Sequence, residues 1–217
     1  MIAIVHPLVR EVYHEYEVLK SLISDLPNLY NRLVDEIEQH AKEDAEGAAV
    51  GDPDIYSTVY HSYDYTIESV SEIPDQSRGY LHAAIYAFFE RNLRNAYKYL
   101  GMANYCKASV VIDSAFTQCN VTITENQGLY DELKIFGLIR NNLSHGRLDK
   151  EEYWQRLTEY VKNNPSLEMQ DDTVCIQDGE FLLHELQIVD QFFDCVFKLN
   201  PIFKTRYLGG QTTEDTV

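Results

Sequence analysis

Residues 140–146 read Arg140-Asn141-Asn142-Leu143-Ser144-His145-Gly146. A fixed cation, an amide and a side chain that titrates near neutral pH fall within six residues. Those groups are the parts needed to cleave a phosphodiester of RNA without a metal. The 2′-hydroxyl is the natural nucleophile. His145 can take its proton or protonate the leaving oxygen, because imidazole titrates at about 6.5. Arg140 can grip non-bridging oxygens through its planar fork. Asn141 can hydrogen-bond the phosphate or fix the ring of His145. This chemistry predicts 2′,3′-cyclic phosphate or 3′-phosphate ends, activity in EDTA and no cleavage of DNA.

The element that must position these groups is an apolar, helix-periodic run from Leu129 to Leu143. Asn141 and His145 are four apart and share a helix face. Arg140 and His145 are five apart, about 140° around an ideal helix. They converge on one ligand only if the helix ends or distorts near His145, or if a second copy supplies one of them. Gly146 suits the left-handed position just past a helix end, which places His145 in the last turn, near exposed carbonyls. The same residues also suit an ordinary helix C-terminus, where Arg and His meet the last carbonyls and glycine closes the turn.

Arg140 and Asn141, the four-residue gap, His145 and the following Gly146 resemble the motif of the HEPN superfamily, the all-helical "higher eukaryotes and prokaryotes nucleotide-binding" domains. The likeness is sharp over about a dozen residues and extends over 76–200 by helix pattern only. It implies a helical bundle, a homodimer and metal-independent RNA cleavage at the dimer seam. It also implies a polar or acidic residue on the preceding long helix, near the motif arginine, and Glu90 is the candidate. A toxin of a toxin–antitoxin pair or a phage-defence effector is the role the resemblance suggests, with an antitoxin or regulatory protein to restrain it. Many members of the superfamily keep the fold without nuclease activity. The alternative is therefore a dimerisation or assembly module that binds a partner protein or a nucleotide without turnover.

Composition narrows the field. The chain has 217 residues, 45% of them hydrophobic, with 16 Tyr and 9 Phe, enough for one sizeable core. Its formal net charge is −17, which opposes nonspecific binding to nucleic acid but allows one small cationic seam. It also suits a basic partner protein. Cys106, Cys119, Cys175 and Cys195 form no C-x-x-C pair and read as reduced, mostly buried thiols of a cytoplasmic protein. No apolar stretch reaches 18 residues, so no membrane span is expected. No glycine-rich phosphate loop and no H-x-x-x-H pair are present, so neither a cofactor nor a metal is expected.

Along the chain, Pro7 opens a first helix to about Ala45, kinked or split at Pro27 with Asp25 as a cap of the second half. Its core stripe would be Leu8, Val12, Leu19, Leu22, Ile23, Leu26, Leu33, Val34 and Ile37. Ile55 to Ile73 fits helical spacing. Its tyrosines 56, 60, 63 and 65 are read as core or interface aromatics in preference to a base-stacking surface, since acidic neighbours repel phosphates. Pro74 to Arg78 reads as a loop. Gly79 to Leu100 is the strongest helix and carries Arg91, Arg94 and Lys98, either a phosphate-facing edge or a solvated face. His82 on it is read as a helix histidine sooner than a second proton donor. Val110–Ile112 and Val121–Ile123 suggest short strands or helix ends. Asp149 looks like the cap of a helix to about Val161. Leu167–Gln170 and Thr173–Gln177 suggest a hairpin around Asp171-Asp172, and Phe181–Leu199 a closing helix. The expectation is an all-α, antiparallel bundle of four main helices with extra helices and one small hairpin. It would be a single domain over 1–208 (1–75 an N-terminal helical part, 76–200 the motif-bearing core), with a mobile tail at 209–217.

Overall fold

The computed structural model describes residues 2–102, 112–204 and 206–208. The fold is all-α. The helices are α1 (Pro7–Ala49), α2 (Pro53–His61), α3 (Asp64–Tyr99), α4 (Ile112–Gln118), α5 (Gln127–His145), α6 (Glu151–Asn163) and α7 (Gly179–Leu199). Two small antiparallel pairs accompany them: β1 (Ile2–Ile4) with β4 (Arg206–Leu208), and the hairpin β2 (Leu167–Gln170) with β3 (Thr173–Ile176). Cys106, Val110 and the tail at 209–217 lie outside the described residues.

The core sits where α3, α5 and α7 meet. Helix α7 has a broad apolar face, on which Phe181, Leu182, Leu186, Val189, Phe192, Phe193 and Val196 are all buried, and a narrow polar stripe of Glu180, His184, Gln187 and Gln191 outside. Aromatic packing ties it to its neighbours: Phe192 lies edge-to-face 5.5 Å from Phe89 of α3 and tilted 5.3 Å from Phe116 of α4, and Phe136 of α5 lies edge-to-face 5.8 Å from Phe181. Asp178 caps α7 by accepting from the Glu180 and Phe181 N–H groups at 3.0 and 3.3 Å.

Several elements differ from the sequence expectation. Helix α1 runs unbroken through Pro27, and Asp25 caps nothing; it accepts from the Ser21 hydroxyl at 3.0 Å. Leu22 and Leu33 are not core residues: they are 46% and 38% exposed and join Val18 and Leu29 in an apolar stripe on the outside of α1. The reason is geometric. The helix has 43 residues, about 65 Å at 1.5 Å per residue. It outruns the core, and no residue between 24 and 40 is buried. Pro74–Arg78 is not a loop but part of α3. An internal proline costs about 3 kcal/mol, yet this stretch is tied on two sides. Tyr30 of α1 and Ser77 share a 2.6 Å hydrogen bond, and Arg78 donates to the Ile176 carbonyl at 3.1 Å. The expected helix from Ile55 to Ile73 is instead two helices that turn at Ser62-Tyr63. The cap of α6 is Lys150, without a side-chain bond, not Asp149. Residues 121–123 are neither strand nor helix end: they belong to the irregular segment that leads into a turn at 123–125.

Candidate functional site

Helix α5 carries the motif. Leu133, Ile135, Phe136, Ile139 and Asn142 form its buried side. The helix stays regular to His145, so the wide angle between Arg140 and His145 holds within one chain. Gly146 ends it with φ 74° and ψ −144°, its N–H donating to the Asn142 carbonyl at 2.7 Å. That is a positive-φ turn with extended ψ, not the expected left-handed one, and it lies in a region open essentially to glycine alone.

Asn142, to which the sequence reading gave no role, is the anchor of this turn. It is fully buried. Its amide nitrogen donates to the carbonyls of Gly146 and Asp172 at 2.9 and 2.8 Å, and its oxygen accepts from the Val174 N–H at 2.7 Å. One side chain thus clamps the end of α5 to the β2–β3 hairpin, whose turn residues Asp171 and Asp172 both have positive φ, as a two-residue hairpin turn demands. A signal existed: Asn142 follows Ile135 and Ile139 on the apolar stripe at i+7 and i+3. A polar residue there must find buried partners.

Arg140 and Asn141 meet. The guanidinium donates to the Asn141 side-chain oxygen at 3.0 Å and lies 5.7 Å from the centre of the Tyr86 ring. Tyr86 is buried, and its hydroxyl is pushed up to about 12, first by that burial and then by the Glu90 charge, against the opposing pull of Arg140. Gly137 leaves room for the ring: a Cβ there would stand 3.0 Å from the tyrosine oxygen, close enough to push it aside by a few tenths of an ångström. Arg140 is half-buried and pairs with no carboxylate among the described residues. His145 is exposed.

Glu90 does not pair with Arg140. It accepts from Arg94 at 3.3 Å, one turn along its own helix, while Tyr86 occupies the place beneath the motif arginine. The expected basic stripe on α3 is largely neutralised in the same way, since Arg91 binds Glu15 at 2.7 Å. The tyrosine cluster is dispersed: Tyr56 and Tyr60 stack on each other, Tyr63 donates to Asp44, and Tyr65 points to solvent.

A cleft of about 570 Å³ opens between α3, α5 and the hairpin. Arg140 and Ser144 line it from α5, Tyr80 and Ala83 from α3, Val174 and Ile176 from β3. Asn141, His145 and Glu90 do not. Arg140 therefore stands at a border, with the cleft on one side and Asn141 on the other. His82 of α3 also contributes to the wall. It is fully buried, and its Nδ1 lies 2.8 Å from Glu185 of α7. This pair, on two helices that do not carry the motif, was not foreseen from sequence. No family model, no curated protein and no solved structure matches the chain.

Proposed function

We propose that the chain is a HEPN-like, metal-independent endoribonuclease whose site is completed across a homodimer seam, acting as a toxin or phage-defence effector. One observation carries this reading: Arg140 and Asn141 are joined beside an open cleft, with His145 exposed on the same helix end. The fold uses Asn142 and Gly146 of the motif and leaves these three for a ligand.

Arg140 holds the non-bridging oxygens of a phosphate, steadied from below by the Tyr86 ring and from the side by Asn141. His145 lies about 140° away around the helix, so one chain does not complete the site; two copies meeting on a twofold axis set both histidines about one phosphate. One imidazole removes the proton of the 2′-hydroxyl as its oxygen attacks phosphorus. The other gives a proton to the departing 5′-oxygen. The products are a 2′,3′-cyclic phosphate and a 5′-hydroxyl. The net charge of −17 disfavours free RNA over most of the surface and favours a basic antitoxin or regulatory protein as partner.

A second reading, a non-catalytic assembly module, draws on the exposed stripe Val18, Leu22, Leu29 and Leu33 of α1. Purified wild type and His145→Ala, incubated with mixed RNA in excess EDTA, separate the two. Cleavage by wild type alone, leaving cyclic phosphate ends, is the expected result. No cleavage by either protein, with both folded and dimeric, favours assembly.

A further inference from the structure

The cleft beside Arg140 differs in charge from the chain that builds it. The chain holds 35 acidic residues against 18 basic ones, yet no described residue that lines the cleft is an aspartate or a glutamate. Arg140 is the permanent cation of that lining, and no carboxylate among the described residues neutralises it. The smaller cleft of about 300 Å³ between α5 and α6 makes the contrast. Arg156 lines it together with Asp131, Glu132 and Glu159, and Asp131 binds that arginine at 3.0 Å. Arg140 stands in an acid-free recess, already steadied by the Tyr86 ring and the Asn141 oxygen. That is a seat for an anion.

The α3 wall of the same cleft carries an aromatic side chain that the fold does not use. Of the exposed tyrosines, Tyr13 donates to Asp194, the Tyr99 ring meets His6 at 4.5 Å, and Tyr153 lies beneath Lys150. Tyr65 and Tyr80, 79% and 76% exposed, make no such contact among the described residues. Of these two, Tyr80 lines the cleft. The lining residues beside it on α3, Gly79 and Ala83, are too small to cover its ring. The cleft therefore offers an accessible aromatic face and an accessible cation within about 570 Å³, a volume that suits a small ligand.

Resting on the ribonuclease reading, we infer that the cleft is a nucleotide subsite: a phosphate sits on Arg140 and the attached base stacks on Tyr80. Every base has a π face, so this contact accepts all four. A base held between α3 and β3 turns its edges to protein and not to a complementary strand. The site therefore takes unpaired segments of RNA. Tyr80 transfers no proton; it fixes where the phosphate falls on Arg140.

The test is equilibrium binding to the full chain, by calorimetry, of adenosine and uridine 3′,5′-bisphosphates and of inorganic phosphate. The bisphosphates carry a phosphate on either side of the base, so the probe does not presuppose which neighbour of the cut is held. Tyr80→Ala should weaken both nucleotides about tenfold or more, the size of one lost stack, while Tyr80→Phe stays within about threefold of wild type. Inorganic phosphate should bind wild type and Tyr80→Ala alike, which a merely structural role for the ring would not give. Arg140→Ala should weaken nucleotides and phosphate together. Nucleotide binding that ignores Tyr80→Ala, equal losses for nucleotide and phosphate in that variant, or nucleotide binding untouched by Arg140→Ala would each overturn the inference. Cleavage assays separate its failure from that of the nuclease reading. Cleavage without Tyr80-dependent binding removes the subsite and keeps the enzyme. Tyr80-dependent binding without cleavage keeps the subsite and removes the enzyme.

Discussion

The last two turns of α5 present two faces made of similar residues with opposite fates. Asn142 turns inward, where its three hydrogen bonds hold the hairpin and the terminal turn. Asn141, rotated by about 100°, is only half-buried and spends its oxygen on Arg140. The same amide is consumed by the fold in one place and left to the site in the next. Stability and the chemistry proposed for Arg140, Asn141 and His145 therefore fall on separate faces of one short segment, and substitutions should move one without the other.

The largest effect is expected on the outward face. His145→Ala should lower RNA cleavage by about a thousandfold or more, a barrier increase of roughly 4 kcal/mol. Its unfolding free energy should stay within about 0.5 kcal/mol of wild type, as for an exposed side chain. A comparable loss of stability would mean that the two faces are not separable.

On the inward face, Asn142→Ala strands the Val174 N–H and two carbonyls. It should cost about 3 kcal/mol, given roughly 1–3 for each orphaned buried group and partial relaxation. Urea unfolding measures this, and hydrogen exchange should show the β2–β3 hairpin released first. A cost below about 1 kcal/mol would show that the clamp is replaceable. Gly146→Ala comes next. Its φ of 74° with ψ of −144° is closed to side chains, so about 2 kcal/mol is expected. The same measurement would refute this if the variant matched wild type.

The contrast also shows what the sequence could and could not reveal. The hairpin, α7 and the extent of α5 were legible because period, turn residues and apolar runs agreed over each stretch. Leu22 and Leu33 misled because period alone says that a helix has an apolar face, not that the core is long enough to cover it. Pro74 misled because a local breaker was outweighed by tertiary ties at Ser77 and Arg78. Arg140, Asn141 and His145 could be picked out by type and spacing. The place of Tyr86 beneath Arg140, the diversion of Glu90 to Arg94 and the meeting of His82 with Glu185, 103 residues away, depend on how helices distant in sequence pack. No local pattern encodes them.

The smallest effect expected is a dependence on pH, and it repeats the inward–outward contrast on α7. Glu185 faces the core, and burial pushes its carboxyl up. Its neighbour His184 faces outward and lies 3.6 Å from Glu132 of α5, which also accepts from Tyr160 at 2.7 Å. The adjoining Glu132 carboxylate raises His184 above its ordinary 6.5. For Glu132, burial pushes upward, but the adjoining His184 and the bond from Tyr160 prevail and leave it below its ordinary 4.5. A raised histidine contributes its full stability below 6.5 and loses it as pH rises through the folded value. A lowered carboxylate contributes above 4.5 and loses it as pH falls. The pair is therefore most effective between those two values and fades on the alkaline side. His184→Gln should lower the melting temperature more at about pH 5.5 than at about pH 8.5, by a small margin because solvent screens a half-exposed pair. An equal loss at both would show that the outward pair holds α5 to α7 by packing and neutral hydrogen bonding, with no help from charge.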